Sequence, residues 1–328
     1  MYKDFFGFKE KPFEITADPR FLYLSESHKE ALAHLLYAVQ EKKGFAVITG
    51  EVGTGKTTLV QAMFGRLDGS TRTAYLFNPR LDSNNDFLHS ICEDLEIKME
   101  KGSKADYLSR LNHFLMDCYT RKVNVVLIID EAQTLSPQLL EEVRLLTNLE
   151  TPDSKLLQVI LVGQPELDHI LEQPQFRPLK QRISVRFHLQ PLNQKELKDY
   201  IKRRLRVAGA RSTYLFSPKA LKRIYQYSRG IPRLINIVCD NALINGYASE
   251  QKVIGEDIIR EVISDLEGTS FRKGKRKVLF AAAVAGLILL LGIGYFWGPD
   301  IWRTTQALFA KTWREATAGL KNLIPSLR

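Results

Sequence analysis

Cysteine is scarce: only Cys92, Cys118 and Cys239 occur in 328 residues, with no CxxC pair. That excludes a disulfide framework and fits small core residues in a reducing compartment. The six histidines are dispersed, so no structural zinc site is expected. The opening stretch MYKDFFGFKEKPF lacks the apolar run of a signal peptide, and the N-terminal part is expected to stay in the cytoplasm. Acidic residues are missing from 272–277 (RKGKRK), whereas 1–194 holds 23 basic and 26 acidic residues. The net charge of +10 is therefore local: residues 195–233 add twelve Lys/Arg against Glu196 and Asp199. A diffuse nucleic-acid footprint is not expected from such a distribution.

What is present is an ordinary folded composition, 45% apolar and 26% charged. Residues 1–24 are aromatic and punctuated by proline, and read as an irregular arm packed onto something else. Helical spacing of Ala31, Leu32, Leu35, Leu36 and Val39 predicts a helix over 26–40, with Ser25 as its N-cap. Short β-branched or aromatic runs follow at 45–49, 73–77, 123–129, 156–162 and 184–189. Helical segments at 56–67, 84–96, 103–121 and 136–149 fill most of the intervals. Apolar strands alternating with helices mean a buried parallel sheet, an α/β fold. After Pro191 the strand signal stops, and 193–208, 217–229, 232–250 and 255–267 read as four helices, with Asn193 and Ser217 as candidate caps.

The stretch GEVGTGKT at 50–57 fits the phosphate-loop pattern G-x-x-x-x-G-K-[ST] at every fixed position. Its glycines let backbone N–H groups curl around phosphate oxygens. Gly50, Glu51, Val52, Gly53, Thr54, Gly55, Lys56, Thr57 and Thr58 are the expected nucleotide-binding residues. Lys56 supplies charge at the β and γ phosphates, and Thr57 offers a hydroxyl to Mg²⁺. The loop follows a predicted strand and opens a predicted helix, as an ATP site requires. In VVLIIDEAQ at 125–133, Asp130 ends a strand where a carboxylate reaches the Mg²⁺ shell. Glu131 follows as the general base for the attacking water. A strand ending in Asp-Glu is by itself equally a helix N-cap; the upstream loop makes it a partner.

Three further assignments come from pattern. Gln164 ends the strand LLQVILVG, where its amide can hold the attacking water or the γ-phosphate; the competing reading is a turn residue before Pro165. Arg182 is placed like an arginine finger offered to a neighbouring subunit, with Arg177 and Arg186 as competitors. Arg233, in GIPRLIN, can report nucleotide state by touching the γ-phosphate, or be a solvated helix-start arginine.

Residues 278–297 (VLFAAAVAGLILLLGIGYFW) contain no charge and as a helix would span roughly 30 Å, the thickness of a bilayer core. Tyr295, Trp297 and Trp302 resemble an interfacial belt, and the basic 272–277 marks the cytoplasmic side. Residues 301–324 carry an amphipathic pattern that suits the outer leaflet, a partner helix or a frayed tail alike.

These motifs resemble the AAA+ ATPases of the ExeA-like group, component A of the general secretion pathway, over roughly residues 1–270. The likeness rests on FFGFKEKPFEITADPRFLYLSESHKEALAHLLYAV at 5–39, GEVGTGKTTL at 50–59, LIIDEAQ at 127–133, LVGQPEL at 161–167, QRI at 181–183 and GIPRLIN at 230–236. The resemblance implies a five-stranded AAA+ core with a helical lid, ATP at their junction, and self-assembly into a ring or dimer. It further implies that Phe13, Leu22 and Tyr23 lie near the adenine. The expected organisation is an arm over 1–24, a core over 25–191, a lid over 192–268, a basic linker over 269–277, one membrane helix over 278–297 and a short tail over 298–328. A single-pass protein of the bacterial inner membrane follows, cytoplasmic ATPase inward and C-terminus outward, meeting membrane lipids and an integral partner of a secretion or envelope machine. Secretion-type members continue into a peptidoglycan-binding domain; about thirty residues follow the apolar run here, so a cell-wall role is not expected. The alternative is a DNA-associated ATPase similar to those of transposition.

Overall fold

The computed structural model describes residues 1–14, 18–77, 83–268 and 306–315. It divides into two units, Met1–Ile263 and Ser264–Arg328. In the first unit, strands β1 (Phe45–Gly50), β2 (Thr71–Leu76), β3 (Asn124–Ile129), β4 (Gln158–Gly163) and β5 (Val185–Leu189) form one sheet in the order β2-β3-β4-β1-β5. Every pairing is parallel, with Ile48 opposite Val162 and Phe187. A parallel sheet is covered on both faces, and the side chains divide accordingly. Val47, Val125, Leu127, Ile129, Val159 and Leu161 point into one apolar cluster, and Ala46, Ile48, Val126, Ile128, Ile160 and Val162 into another. The period-2 alternation of near-continuous apolar strands thus builds two cores from one sheet.

Helices α1 (Tyr2–Phe6), α2 (Glu26–Gln40) and α3 (Lys56–Phe64) precede β2; α4 (Asn84–Asp94) and α5 (Lys104–Thr120) precede β3; α6 (Pro137–Leu146) precedes β4. Next come α7 (Pro165–Leu171) and α8 (Arg177–Lys180), and after β5 come α9 (Gln194–Val207), α10 (Pro218–Ser228), α11 (Pro232–Ala248) and α12 (Glu256–Leu266). The side-chain oxygens of Ser25, Asn193 and Ser217 accept backbone N–H bonds at the starts of α2, α9 and α10. α2 and α3 pack on one face of the sheet and α4, α5 and α6 on the other.

The arm is more ordered than its composition suggests. It contains α1, and Tyr2, Phe6, Phe8 and Phe13 join the apolar cluster formed by α9–α12. Tyr2 donates a hydrogen bond to Asp240, and Phe6 stacks on Phe8. Each buried aromatic of this kind contributes roughly 1.5–3 kcal/mol. Gly230, at φ +80°, lets the α10–α11 turn touch the chain just after β5: a Cβ there would lie 1.8 Å from the carbonyl oxygen of Leu192. Leu192 N–H donates to Gly230 O at that contact.

In the second unit, residues 306–315 form a helix with Leu308, Phe309 and Trp313 exposed. The expected membrane helix at 278–297 lies outside the described residues, as does the rest of the amphipathic 301–324 pattern. Among the described residues no helix is long and apolar enough to cross a membrane.

Candidate functional site

β1 ends at Gly50 and α3 begins at Lys56, so the intervening loop must reverse tightly. Gly53 (φ +81°) and Gly55 (φ +102°) supply the left-handed backbone for that reversal. They also make room for neighbours: a Cβ on Gly53 would lie 2.6 Å from Cβ of Arg233, and one on Gly55 3.1 Å from Nε2 of His28. Lys56 is buried and its Nζ donates to the loop's own carbonyls, Gly50 O at 2.8 Å and Glu51 O at 3.1 Å. Burial pulls its pKa down, against the opposing pull of Glu131, Asp130 and Glu51.

Asp130, at the end of β3, is fully buried. Its Oδ2 accepts from Thr57 Oγ1 at 2.8 Å and from the Tyr75 hydroxyl at 2.9 Å, and its Oδ1 from the N–H of Glu131. Burial and the Asp130 and Glu131 charges raise the Tyr75 pKa, so this hydroxyl stays a donor. Glu131 sits at φ +52°, a left-handed conformation that costs a non-glycine residue energy. Its Oε2 accepts from Gln133 Nε2 at 2.6 Å and Gln164 Nε2 at 2.9 Å. Gln133 Oε1 in turn accepts from the backbone N–H of Gln164, closing a ring that fixes where the carboxylate stands.

A cavity of about 390 Å³ brings much of this together, lined by residues 52–58, Glu131, His28 and Arg233, with Phe21, Leu22 and Tyr23 from the arm. Arg233 is the second residue of α11, and its N–H donates to Gly53 O. A model of an AAA domain matches residues 39–171. General secretion pathway protein A of Aeromonas hydrophila is 47% identical over 261 residues, which are 79% of this chain and 47% of that protein. Over those residues the chain is similar to the AAA+ ATPases of that group. It spans about half the length of the curated relative it matches. At 21% identity, the Aeropyrum pernix ORC2 protein in its ADPNP–ADP complexes aligns with a TM-score of 0.59 over 78% of this chain and 72% of its own. Drosophila ORC bound to DNA aligns at 17% identity, TM-score 0.58, over 79% and 66% of the two chains. The Thermotoga maritima RuvB Holliday junction branch migration motor aligns at 21% identity, TM-score 0.50, over 74% and 69%. At such identities the likeness concerns the fold alone.

Within this AAA+ framework the donors suit Mg-ATP. One carboxylate (Asp130) next to one hydroxyl (Thr57) is the sparse oxygen set that Mg²⁺ takes alongside phosphate and water. The left-handed glycines open the cradle a phosphate needs. Gln164 stands beside Glu131, and Arg233 at the rim of the loop. Arg182 is elsewhere: its Nη1 donates to Arg144 O at 3.1 Å and Thr147 Oγ1 at 2.6 Å, at the C-terminal end of α6. Of its competitors, Arg186 pairs with Asp168 and Arg177 is exposed at the start of α8. The expectation for Phe13 is corrected. It is buried against Phe216 in the helical cluster and does not line the cavity, whereas Phe21 does.

Gln133, Tyr75 and His28 carry roles that sequence reasoning did not assign. Gln133 stood in the DEAQ motif unassigned, and His28 lies three residues after the Ser25 cap. His28 is buried; its Nε2 lies 3.0 Å from Thr54 O and its Nδ1 2.6 Å from Ser25 Oγ. A carbonyl only accepts, so Nε2 carries the proton and Ser25 donates to Nδ1. Burial holds this imidazole below its usual pKa of ~6.5, against the raising effect of the Thr54 bond. The folded state then binds fewer protons than the unfolded one. The stability from the neutral bridge is present above ~6.5 and declines as pH falls through that value. His28→Gln keeps an N–H donor without the titration. Thermal melts of that variant between about pH 5 and 7 are expected to lose less stability on acidification than the parent. Equal slopes would remove His28 from the account.

Proposed function

We propose that this chain binds and hydrolyses Mg-ATP and uses the cycle to drive or regulate a secretion or envelope-assembly machine at the inner membrane. The observation that carries the reading is the convergence of Lys56, Thr57, Asp130 and Glu131 around one phosphate-sized loop. Lys56 moves its ammonium from the loop carbonyls to the β and γ phosphates. Thr57 and Asp130 would hold Mg²⁺, which when bound neutralises the developing phosphate charge. Glu131 orients and deprotonates the attacking water, Gln164 positions it, and Arg233 senses the γ-phosphate from α11. Residues 25–191 serve as the core and 192–268 as the lid, with 278–297 as the membrane anchor and 269–277 facing anionic lipid headgroups. Copies assemble into a ring or dimer, in which Arg182 acts in trans after leaving Arg144 and Thr147.

The 47% identity to general secretion pathway protein A supports the secretion setting. The full chain is expected to turn over ATP only with Mg²⁺ and to stay in the membrane fraction through a high-salt wash. Magnesium-independent turnover, or none with any divalent ion, would sink the enzymatic part; release by salt would sink the anchor. One feature favours a second reading. Lys195, Lys198, Arg203 and Arg206 are exposed along α9, a stripe suited to a nucleic-acid backbone. Salt-dependent binding to duplex DNA, stronger than to anionic vesicles, would favour it.

A further inference from the structure

The torsion that turns an aspartate carboxylate has no sharp minima, so the donors around it decide its orientation. At the buried Asp130 the donors among the described residues are Thr57 Oγ1 and Tyr75 Oη on Oδ2, and the Glu131 N–H on Oδ1. A carboxylate accepts and never donates, so both hydroxyls spend their protons here. Each of its oxygens offers about two lone-pair positions. Thr57 and Tyr75 fill both on Oδ2, and Glu131 fills one on Oδ1. The position left open is on Oδ1.

Of these donors, Tyr75 stands apart from the nucleotide machinery. Thr57 belongs to the phosphate loop and its helix, and the Glu131 N–H to the residue that follows Asp130. Tyr75 comes from β2, which flanks β3 on the side away from β1. It is held independently of the site: its own N–H donates to Asp94 Oδ2 at 2.5 Å. Its ring meets Phe64 edge-on, with centroids 5.7 Å apart, a favourable aromatic geometry. Phe64 is the last residue of α3, so the helix that carries Thr57 also braces the phenol.

Divalent cations differ in what they ask of a carboxylate. Mg²⁺ is small, keeps several waters and demands near-octahedral geometry. Ca²⁺ takes roughly six to eight oxygens and often both oxygens of one carboxylate. We propose that Tyr75 is a specificity residue for the divalent cation: by filling the second position on Oδ2 it confines Asp130 to contact through Oδ1, which suits Mg²⁺ and disfavours Ca²⁺. Thr57 can offer an oxygen lone pair to the ion while its proton stays on Oδ2. Tyr75 touches neither phosphate nor attacking water and acts through Asp130 as a positioning residue. The inference rests on the ATP reading above and deepens it.

The test measures ATP affinity of the detergent-solubilised full chain by calorimetry, without divalent ion, with Mg²⁺ and with Ca²⁺. Affinity without ion is each protein's own reference, and the gain with each ion is read against it. The parent is expected to gain more from Mg²⁺ than from Ca²⁺. Tyr75→Phe keeps the ring and frees a position on Oδ2, so Ca²⁺ can take both oxygens. It is expected to lower the ratio of the Mg²⁺ gain to the Ca²⁺ gain by about 10-fold. Melting curves that match the parent exclude misfolding as the cause. An unchanged ratio, including equal losses with both ions, overturns the assignment. Equal gains in the parent overturn it without any variant. If the parent binds ATP under none of these conditions, the ATPase reading itself fails and the assignment falls with it.

Discussion

Glu131→Gln is expected to keep nucleotide bound while turnover falls by about 10²- to 10⁴-fold, the contribution of a positioned general base. The substitution conserves volume and leaves an oxygen that can still accept from Gln133 and Gln164, so the local ring survives. What it removes is the negative charge that draws a proton from water. Steady-state turnover and equilibrium binding of a fluorescent ATP analogue separate the two effects. Turnover within threefold of the parent would show that the base lies elsewhere.

Lys56→Ala acts on binding itself. In the free protein the ammonium is buried against two loop carbonyls, and burial depresses its pKa. The charge is therefore under-compensated until phosphate oxygens arrive. Its removal leaves a buried triphosphate without its closest cation, a loss of about 3–5 kcal/mol, or roughly 10²- to 10³-fold or more in affinity. Apo stability should change little, because an ammonium with incomplete compensation is deleted along with its bonds. Titration calorimetry and thermal melts read both quantities. Unimpaired ATP binding would place the triphosphate outside the glycine loop and undo the functional reading.

Much of the fold was legible because local patterns carried it. Apolar strands alternating with helices implied the parallel sheet, and cap residues such as Ser25 and Asn193 marked helix starts within a residue or so. The phosphate loop was readable because its glycines answer to backbone geometry, which is a local constraint. The arm was not, since Phe13 looks the same whether its partner is a base or Phe216. That choice is made by residues some two hundred positions away. Gln133 and Tyr75 were missed for the same reason. Their partners, Gln164 and Asp130, arrive only when β4 and β3 align beside the earlier elements. Arg182 carried a plausible pattern, but pattern alone does not show that its guanidinium is held at the end of α6.

The arm's place among α9–α12 bears on how the chain is made. Beyond contacts within the arm itself, Tyr2, Phe6, Phe8 and Phe13 find their packing partners in residues from Leu192 onward. At a synthesis rate of about 5–20 residues per second, these aromatic side chains emerge from the ribosome on the order of ten seconds or more before anything exists to cover them. A segment translated well before its partners is among the last to be sheltered, and it is where a chaperone would be expected to hold the nascent protein.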